Sequence, residues 1–395
     1  MARDTDMVEA ALHRDLEART GPLVAQVHSP FLWRHWATGW YTLRALRTRT
    51  IVLTDRRQHA DEWPWPTDFL VEWDFEGKPP EGLSAVDIFH LHNGWTATSH
   101  GLELIDAYPE KPYVASFLGT DVNKHAQLCE NGPRYRRLFE TISTAVVPCE
   151  FLAGKLIGLG CDETKIRVIP WGVEPSILPR KDPAAFSPAG TLRVCMLARM
   201  IELKGIDVAI AAAGLAAEKA NVTLDVVGEG PERNRLLTIA GKVNSHHGAE
   251  VIRIHGDGNA IPSHTYAMGV LKQSDCLLNS SRRMPDGSEE TMSIAMIEAQ
   301  MMGLPVVATW CGGATEIVHH DRTGWLAKLP DDDRRGDYEE GTPEGLADAL
   351  VRLSFDRDNR IRMGTAGAEM AGRRFSTSVV AESFDRLYDG IRGPR

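Results

Sequence analysis

The chain has 395 residues, a formal net charge of -10 at pH 7 and a hydrophobic share of 43%. This length exceeds what one ordinary hydrophobic core accommodates, so two domains of the α/β class are expected. The negative charge argues against nucleic acid or an anionic membrane surface as the main partner.

The six cysteines include no Cys-x-x-Cys pair, which predicts reduced thiols rather than a disulfide framework. Residues 1–23 are charged throughout and lack the apolar centre of a signal peptide, and no apolar run is long enough to span a bilayer. We therefore expect a cytoplasmic protein without a transmembrane segment. Peripheral membrane contact and the oligomeric state stay open.

Short β-branched runs alternate with longer amphipathic stretches, which predicts strand–helix–strand units and mainly parallel sheets. The proline-rich stretch 170–190 predicts a linker between two such series. The first series of predicted strands covers residues 24–28, 50–53, 86–90, 113–117, 145–147 and 166–169. The second covers residues 193–197, 224–227, 251–255, 276–278, 306–309 and 324–327.

The last part of the chain is predicted to be helical. Thr342 and Pro343 indicate one helix start, and Ser376 indicates the cap of a final helix. The predicted fold class is α/β, with two doubly wound Rossmann-like domains facing a deep cleft. Residues 1–180, completed by the C-terminal helix 376–395, form the first domain, and residues 181–375 form the second. Ligands of such sheets bind outside the carboxyl ends of the strands.

The segment 290–299 carries two carboxylates, Glu290 and Glu298, separated by seven uncharged residues, and a predicted buried strand follows. A helix start near Ser293 would present free amide groups between these carboxylates, a pattern that suits a sugar joined to a phosphate. Glu298 lies among apolar neighbours, so it needs a hydroxyl or cationic partner, and vicinal ribose hydroxyls would serve. The alternative is a surface acid followed by an ordinary helical acid. The candidate donor-binding residues here are Thr291, Met292, Ser293, Ile294 and Glu298.

Arg199 and Lys204 fall in a predicted strand–helix loop. A guanidinium forks onto two phosphate oxygens and an ammonium supplies a compact charge, so the two fit a diphosphate, although such pairs are often solvated loop charges. Gly228 and Gly230 follow the next predicted strand and would let the backbone approach a ligand. Alternatively they form a tight turn with Pro231 at the first helical position.

His90 and His92 share one face of a predicted strand, but no third metal ligand is placed by the sequence. We therefore interpret them as satisfied histidines. Asp331 and Asp333 form an Asp-x-Asp in an acidic loop, where solvation is the expected state. No metal and no cofactor are predicted.

Taken together, these motifs resemble the retaining glycosyltransferases of glycosyltransferase family 4, which have the GT-B fold. In that family the residues matching Arg199 and Lys204 grip the donor diphosphate, the residue matching Glu298 binds ribose, and the one matching Glu290 contacts the donor sugar. The resemblance is fullest over residues 193–327, where Gly228-Glu229-Gly230-Pro231, Gly303-Leu304-Pro305-Val306-Val307 and Gly312-Gly313-Ala314-Thr315-Glu316 occur in family order, and it extends to residues 88–94, 117–121 and 166–173.

Two departures concern the first domain. Family members commonly place a histidine before a Gly-x-Asp, whereas Leu118 stands there in this chain. Members also often carry a glycine-rich loop after the first strand, where this chain has His28-Ser29-Pro30. The candidate residues on the acceptor side are His92, Gly119, Asp121 and His125.

The resemblance implies a retaining transfer of a hexosyl unit from a nucleotide diphosphate sugar to an acceptor hydroxyl of a glycan, a lipid-linked molecule or a small molecule. The catalytic residues would be Arg199, Lys204 and Glu290, acting without a metal. Two alternatives stay open. One is a nucleotide-sugar epimerase on the same fold, and the other is a noncatalytic nucleotide-sugar binding protein, which the leucine at position 118 motivates.

Overall fold

The computed structural model describes residues 13–29, 37–56, 65–75, 77–256, 258, 262–329 and 339–392. The chain forms two compact units. Unit 1 consists of residues 1–174 and 375–395, and unit 2 of residues 175–374. The domain boundaries predicted from the sequence lay at residues 180 and 375.

Unit 1 is built on a seven-stranded sheet with the order β3-β2-β1-β4-β5-β6-β7. The order reverses direction between β1 and β4, which makes this a doubly wound sheet. Its strand pairs are all parallel. The strands are β1 (Thr20–His28), β2 (Thr48–Thr54), β3 (Leu70–Glu72), β4 (Ile88–His92), β5 (Tyr113–Ser116), β6 (Thr144–Val147) and β7 (Ile166–Val168).

Helices connect these strands, as parallel crossovers require. They are α1 (Ala37–Ala45), α2 (Gly94–Thr96), a π-helical turn (Ala97–Gly101), α3 (Leu102–Ala107), α4 (Thr120–Asn123), α5 (His125–Thr141) and α6 (Glu150–Gly158). Short 3₁₀ segments lie at Thr67–Phe69, Glu81–Ala85 and Glu163–Lys165.

Unit 2 has a second seven-stranded parallel sheet with the order β10-β9-β8-β11-β12-β13-β14. Its reversal point lies between β8 and β11, so the two sheets share one topology. The strands are β8 (Thr191–Leu197), β9 (Asn221–Val227), β10 (Ile252–His255), β11 (Cys276–Asn279), β12 (Val306–Thr309), β13 (Gly324–Lys328) and β14 (Glu339–Glu340).

The helices of unit 2 pack against an apolar core that includes Val194, Ile210 and Leu350. They are α7 (Ile206–Ala217), α8 (Arg233–His247), α9 (His264–Gln273), α10 (Ile294–Met302), α11 (Ala314–Ile317), α12 (Pro343–Phe355) and α13 (Arg357–Phe375). Single 3₁₀ turns lie at Pro175–Ile177, Pro183–Ala185 and Glu202–Lys204.

The final helix, α14 (Thr377–Arg392), belongs to unit 1. Val173 bonds through its backbone to both Phe375 and Thr377, at N···O distances of 2.7 and 3.1 Å, and so ties the start of the helix to unit 1. Val380 and Tyr388 are buried in the core of unit 1, with Phe384 and Leu387 packed against it. These four residues form the apolar face of the helix.

The α/β class and the doubly wound parallel sheets are confirmed, but two local details differ from the predictions. The short strands β3 and β14 were not predicted, because two or three residues carry no periodicity. Pro231 was expected at the first helical position, yet α8 begins at Arg233 after an N-cap at Glu232. Thr342 caps α12 as predicted, with its hydroxyl accepting from the Gly345 amide at 3.2 Å.

Candidate functional site

The loops that follow β8, β9, β11 and β12 form the candidate site of unit 2. These four strands are neighbours in the sheet and run parallel. Because their carboxyl ends meet at one edge, the loops 198–205, 228–232, 280–293 and 310–313 emerge side by side. A crevice at this edge is where ligands bind in such sheets.

Arg199 is held at this edge by its two neighbours in the chain. The Ala198 amide donates to the Val227 carbonyl at 3.1 Å, and the Met200 amide donates to the Glu229 carbonyl at 2.8 Å. The Arg199 side chain itself is exposed. Within the part of the chain that the structure describes, it forms no ion pair, so its guanidinium remains available to a ligand.

Gly228 and Gly230 are required by the backbone packing of the same loops. A Cβ atom at Gly228 would overlap the carbonyl of Ala198, and one at Gly230 would overlap the carbonyl of Met200. Both glycines therefore let the loop after β9 lie directly against the Arg199 loop. This explanation involves no ligand, although the backbone stays close to the edge where one would bind.

Lys204 and Glu290 come together although they are 86 positions apart. The Lys204 ammonium contacts Glu290 Oε2, and the Ser281 hydroxyl donates to the same oxygen at 3.1 Å. The two side chains are only 19% and 10% exposed. A neighbouring backbone bond, from the Arg282 amide to the Leu203 carbonyl at 2.9 Å, joins the two loops.

The start of α10 carries the predicted donor-binding segment. Ser293 occupies the N-cap position, but its hydroxyl does not cap the helix and instead accepts from Asn279 Nδ2 at 3.2 Å. Thr291 and Met292 are buried. Among the described residues, none accepts a hydrogen bond from the amides of Met292, Ser293 or Ile294. These amides are thus available at a helix N-terminus.

Glu298 has a hydrogen-bonding partner that the sequence did not reveal. Nε2 of His264, the first residue of α9, donates to Glu298 Oε1 at 2.7 Å. The Glu298 side chain is 11% exposed and that of His264 is 45% exposed. The hydrogen bond and the negative charge of Glu298 raise the pKa of His264. The only local signal was Ser263, which caps α9, and it says nothing about Glu298.

In the predicted donor site, Lys204 and Glu290 therefore touch. Arg199, Gly228 and Gly230 lie in adjoining loops. Glu298 lies within α10 and bonds to His264 rather than to the other predicted residues. The described residues contain no cluster of three or more His, Cys, Asp or Glu side chains suited to a metal ion. Asp331 and Asp333 lie outside the described residues.

In unit 1, Asp121 is fully engaged by the backbone around it. Its Oδ1 accepts from the amides of Gly119 and Leu118 at 2.7 and 3.1 Å, and its Oδ2 accepts from those of Gly94 and Leu118 at 2.8 and 3.1 Å. Burial raises the pKa of this carboxyl. The side chain of the predicted candidate His125, in the first turn of α5, lies outside the described part.

His92 belongs to a row of buried polar side chains on one face of the unit 1 sheet. The rings of His28, His92 and His90 stack in that order, with centroid distances of 4.0 and 4.1 Å. His92 Nε2 bonds to Gln26 Oε1 at 2.7 Å. Burial lowers the pKa of all three imidazoles, that of His90 to about 3. They are therefore neutral at pH 7.

His90 extends the row to the final helix. Its Nδ1 bonds to the Tyr388 hydroxyl at 2.6 Å, and its Nε2 bonds to the Ser116 hydroxyl at 2.7 Å. Gln26 Nε2 also donates to the Tyr388 hydroxyl at 3.1 Å. The interpretation of His90 and His92 as satisfied histidines agrees with these bonds.

Known proteins resemble this chain in both sequence and fold. Residues 191–356 match the family model "Glycosyl transferases group 1". The putative colanic acid biosynthesis glycosyltransferase WcaL of Escherichia coli is 31% identical over 278 residues, which are 70% of this chain and 63% of WcaL. The amylovoran biosynthesis glycosyltransferase AmsK of Erwinia amylovora is 29% identical over 309 residues, 77% of this chain and 71% of AmsK. The chain thus spans somewhat less than two thirds of WcaL.

Among solved structures, Anabaena HepE in complex with UDP and glucose superposes with a TM-score of 0.68 at 15% identity, covering 94% of this chain and 100% of HepE. This likeness extends over both units. No helix among the described residues is both long and apolar enough to cross a membrane. The superposition shows that the chain has the GT-B fold, and the family match and the sequence relatives show that it is similar to glycosyltransferases of group 1.

Proposed function

We propose that the protein transfers a hexosyl unit from a nucleotide diphosphate sugar to an acceptor hydroxyl, with retention of the anomeric configuration, as in glycosyltransferase family 4. Unit 2 would bind the donor and unit 1 the acceptor. The observation that carries the proposal is the contact of Lys204 with Glu290 at the loop edge where Arg199 and the free amides of α10 also lie.

The cations would bind the diphosphate. A charge-assisted hydrogen bond contributes about 1.5–3 kcal/mol, whereas a helix N-terminus contributes about 0.3–1 kcal/mol. Arg199 and Lys204 therefore dominate, and the amides of Met292, Ser293 and Ile294 fix the orientation of the phosphate groups. To reach the diphosphate, Lys204 must share or release its contact with Glu290.

The two carboxylates would bind the sugars at either end of the diphosphate. Glu298 accepts hydrogen bonds from the ribose hydroxyls, and His264 holds its carboxylate in place. Glu290, which Ser281 orients, meets the hexosyl group. The complex of HepE with UDP and glucose supports a nucleotide-sugar donor for this fold.

In the reaction, the bond between the anomeric carbon and the diphosphate oxygen breaks, and its electron pair leaves with the diphosphate. The acceptor oxygen forms the new bond on the same face of the sugar, and its proton passes to the departing phosphate oxygen. Negative charge builds on the diphosphate as the bond loosens, so preplaced cations stabilise the transition state more than the substrate. We propose that no metal is needed, since Arg199 and Lys204 supply this charge.

The test begins with a thermal-shift screen of nucleotide sugars, because a ligand of the folded state raises the melting temperature. With the donor so found, Arg199→Ala and Lys204→Ala are expected to lower kcat by about 10²–10³-fold each, the usual effect of removing one transition-state donor. Lys219→Ala is the matched control, because Lys219 forms an exposed pair with Asp348 in the same unit.

Near-normal turnover in both variants would contradict the assignment of the diphosphate site. Nuclear magnetic resonance of the glycoside formed in the first minutes distinguishes retention from inversion. Incubating the donor alone tests the epimerase alternative, which predicts a new sugar without an acceptor. Turnover unchanged by a chelator such as EDTA is expected, and its loss would contradict the metal-independent mechanism.

A further inference from the structure

A pocket lies at the carboxyl edge of the unit 1 sheet, and all its lining residues belong to that unit. Its lining comes from the ends of β1, β4, β5 and β6, from the segment after β7, from α1 and from the final helix α14. We call it the apolar pocket.

The walls of the apolar pocket are aliphatic and aromatic. Helix α1 and the residue after it contribute Leu43 and Leu46, the segment after β5 contributes Phe117 and Leu118, and α14 contributes Val380 and Phe384. The described lining residues include no Asp, Glu, Lys or Arg. A charged ligand group placed inside would thus be desolvated without an ionic partner, which is strongly unfavourable.

The floor of the apolar pocket is polar, but its hydrogen-bonding groups are occupied. His90 bonds to Tyr388 and Ser116, and His92 bonds to Gln26, all within 2.6–2.7 Å. These histidines are uncharged at neutral pH because they are buried. The floor therefore offers a ligand few unmet hydrogen bonds, and the walls offer it apolar surface.

We propose that the apolar pocket binds the aliphatic chain of the acceptor, so that the acceptor is an amphiphile carrying an alkyl or isoprenoid group. This inference rests on the proposed function and names its acceptor class. The polar head of such an acceptor would carry the hydroxyl that is glycosylated. A polyhydroxylated glycan does not fit this pocket, because its hydroxyl groups would lose water without gaining partners.

Chain length gives the proposal a quantitative signature. Burying one methylene contributes about 0.8 kcal/mol, which corresponds to about a fourfold change in affinity. Affinity should therefore rise about fourfold for each added methylene until the pocket is filled. Binding should also show a negative heat-capacity change, the mark of buried apolar surface.

The first experiment measures the binding of hexanol, octanol and decanol to the full chain by titration calorimetry. Leu118→Trp is expected to fill the apolar pocket and weaken decanol binding at least tenfold. Leu118→Ser removes apolar wall without adding bulk, and serves if the tryptophan variant fails to fold. The matched control is Ile157→Trp on α6, because Ile157 is 42% exposed and does not line the pocket.

The second experiment measures transfer to hexyl, octyl and decyl glucosides with the nucleotide sugar found by the screen. If the aliphatic chain in the pocket belongs to the acceptor, the KM for the alkyl glucoside should fall about fourfold for each added methylene. Leu118→Trp should flatten this dependence, whereas Ile157→Trp should preserve it. Donor affinity, measured separately by calorimetry, should be the same in all three proteins.

Three outcomes would overturn the inference. Alkanol affinity that does not depend on chain length, or that is equal in Leu118→Trp and the native protein, rules out a chain site in this pocket. If alkanols bind but the KM for the alkyl glucosides does not depend on chain length, the pocket binds a separate amphiphile rather than the acceptor. Efficient transfer to a glycan without an aliphatic chain, with no increase in transfer when an alkyl group is added, also contradicts the inference. Failure of the proposed function looks different, because the native protein would then neither hydrolyse nor transfer any nucleotide sugar.

Discussion

The two units share one sheet topology but place opposite chemistry at the carboxyl edges of their sheets. In unit 2 the edge carries ionisable pairs that stay partly exposed, namely Lys204 with Glu290 and His264 with Glu298. In unit 1 the corresponding edge carries neutral, buried side chains around an apolar pocket. The same scaffold thus carries ionisable side chains at one edge and an apolar pocket at the other.

Histidine shows how solvent exposure produces this difference. His264 lies half-exposed beside a carboxylate, and its pKa is raised. His90 and His92 are buried, and burial lowers their pKa values. Burial penalises the charged imidazole, whereas a neighbouring carboxylate favours it. The two units should consequently respond to acid in opposite ways.

The largest expected effect is the response of unit 1 to acid. An imidazole that stays neutral when folded takes up a proton only in the unfolded state, so its stabilising effect is complete above about pH 6.5 and is lost as the pH falls towards the folded pKa. By pH 5.5 each of His28, His90 and His92 should lower the free energy of unfolding by about 1.4 kcal/mol. Urea titrations, with hydrogen exchange of the amides in β1, β4 and β5 as the readout, measure this loss in the free energy of unfolding.

His90→Gln keeps side-chain hydrogen-bonding groups but removes one titrating imidazole. Unfolding of this variant in acid should therefore take up one proton fewer than unfolding of the native protein. His246→Gln on α8 is the matched control, because His246 is exposed. If the free energy of unfolding depends on pH equally in His90→Gln and the native protein, the buried histidines do not account for the acid response of unit 1.

Asp121 tests whether the polar groups of unit 1 serve stability rather than ligand binding. Asp121→Ala leaves the buried amides of Gly94, Leu118 and Gly119 without their acceptor, so we expect a loss of about 2–4 kcal/mol in the free energy of unfolding. Denaturant unfolding measures the loss. Asp106→Ala, which breaks an exposed pair with Arg137, should change stability by less than about 0.5 kcal/mol. A stable Asp121→Ala protein with impaired transfer would instead support a direct role on the acceptor side.

The Lys204–Glu290 contact provides the corresponding test in unit 2. A double-mutant cycle with Lys204→Met and Glu290→Gln should give a coupling free energy of about 0.5–3 kcal/mol, because the pair is mostly buried. Thermal and urea unfolding without donor supply the four values. The exposed pair Lys219–Asp348 is the control and should couple by less than about 1 kcal/mol. Equal coupling in the two cycles would mean that the candidate site is no better organised than the surface.

His264 should give the smallest effect. Its protonated form holds Glu298, and because its pKa is raised, this contribution is complete below about pH 6.5 and is lost as the pH rises through the folded pKa. We expect the donor KM to increase severalfold, roughly two- to fivefold, over that rise. His264→Gln should show a pH-independent donor KM, with kcat little changed. The same pH profile in both proteins would assign the dependence to another group.

The sequence predicted most of the fold because its signals are local. Apolar runs such as Val306–Thr309 are buried strands of a parallel sheet, and the cap at Thr342 lies where the turn chemistry indicates. It also predicted the candidate residues of unit 2, because a loop after a parallel strand always reaches the carboxyl edge. The segment 290–298 has the predicted course, with α10 beginning at Ile294.

What the sequence determined by itself is therefore the order of strands and helices, the two series that build the units, and the loops that carry Arg199, Lys204 and Glu290. Only the tertiary structure decided the pairings. His264 meets Glu298 across 34 positions, and His90 meets Tyr388 across 298. Periodicity and capping act within a few residues, whereas a contact between distant segments depends on how strands are ordered in the sheet and how helices pack on it. For the same reason the sequence does not predict the apolar pocket, since α1, α14, four strands and the segment after β7 each contribute only part of its wall.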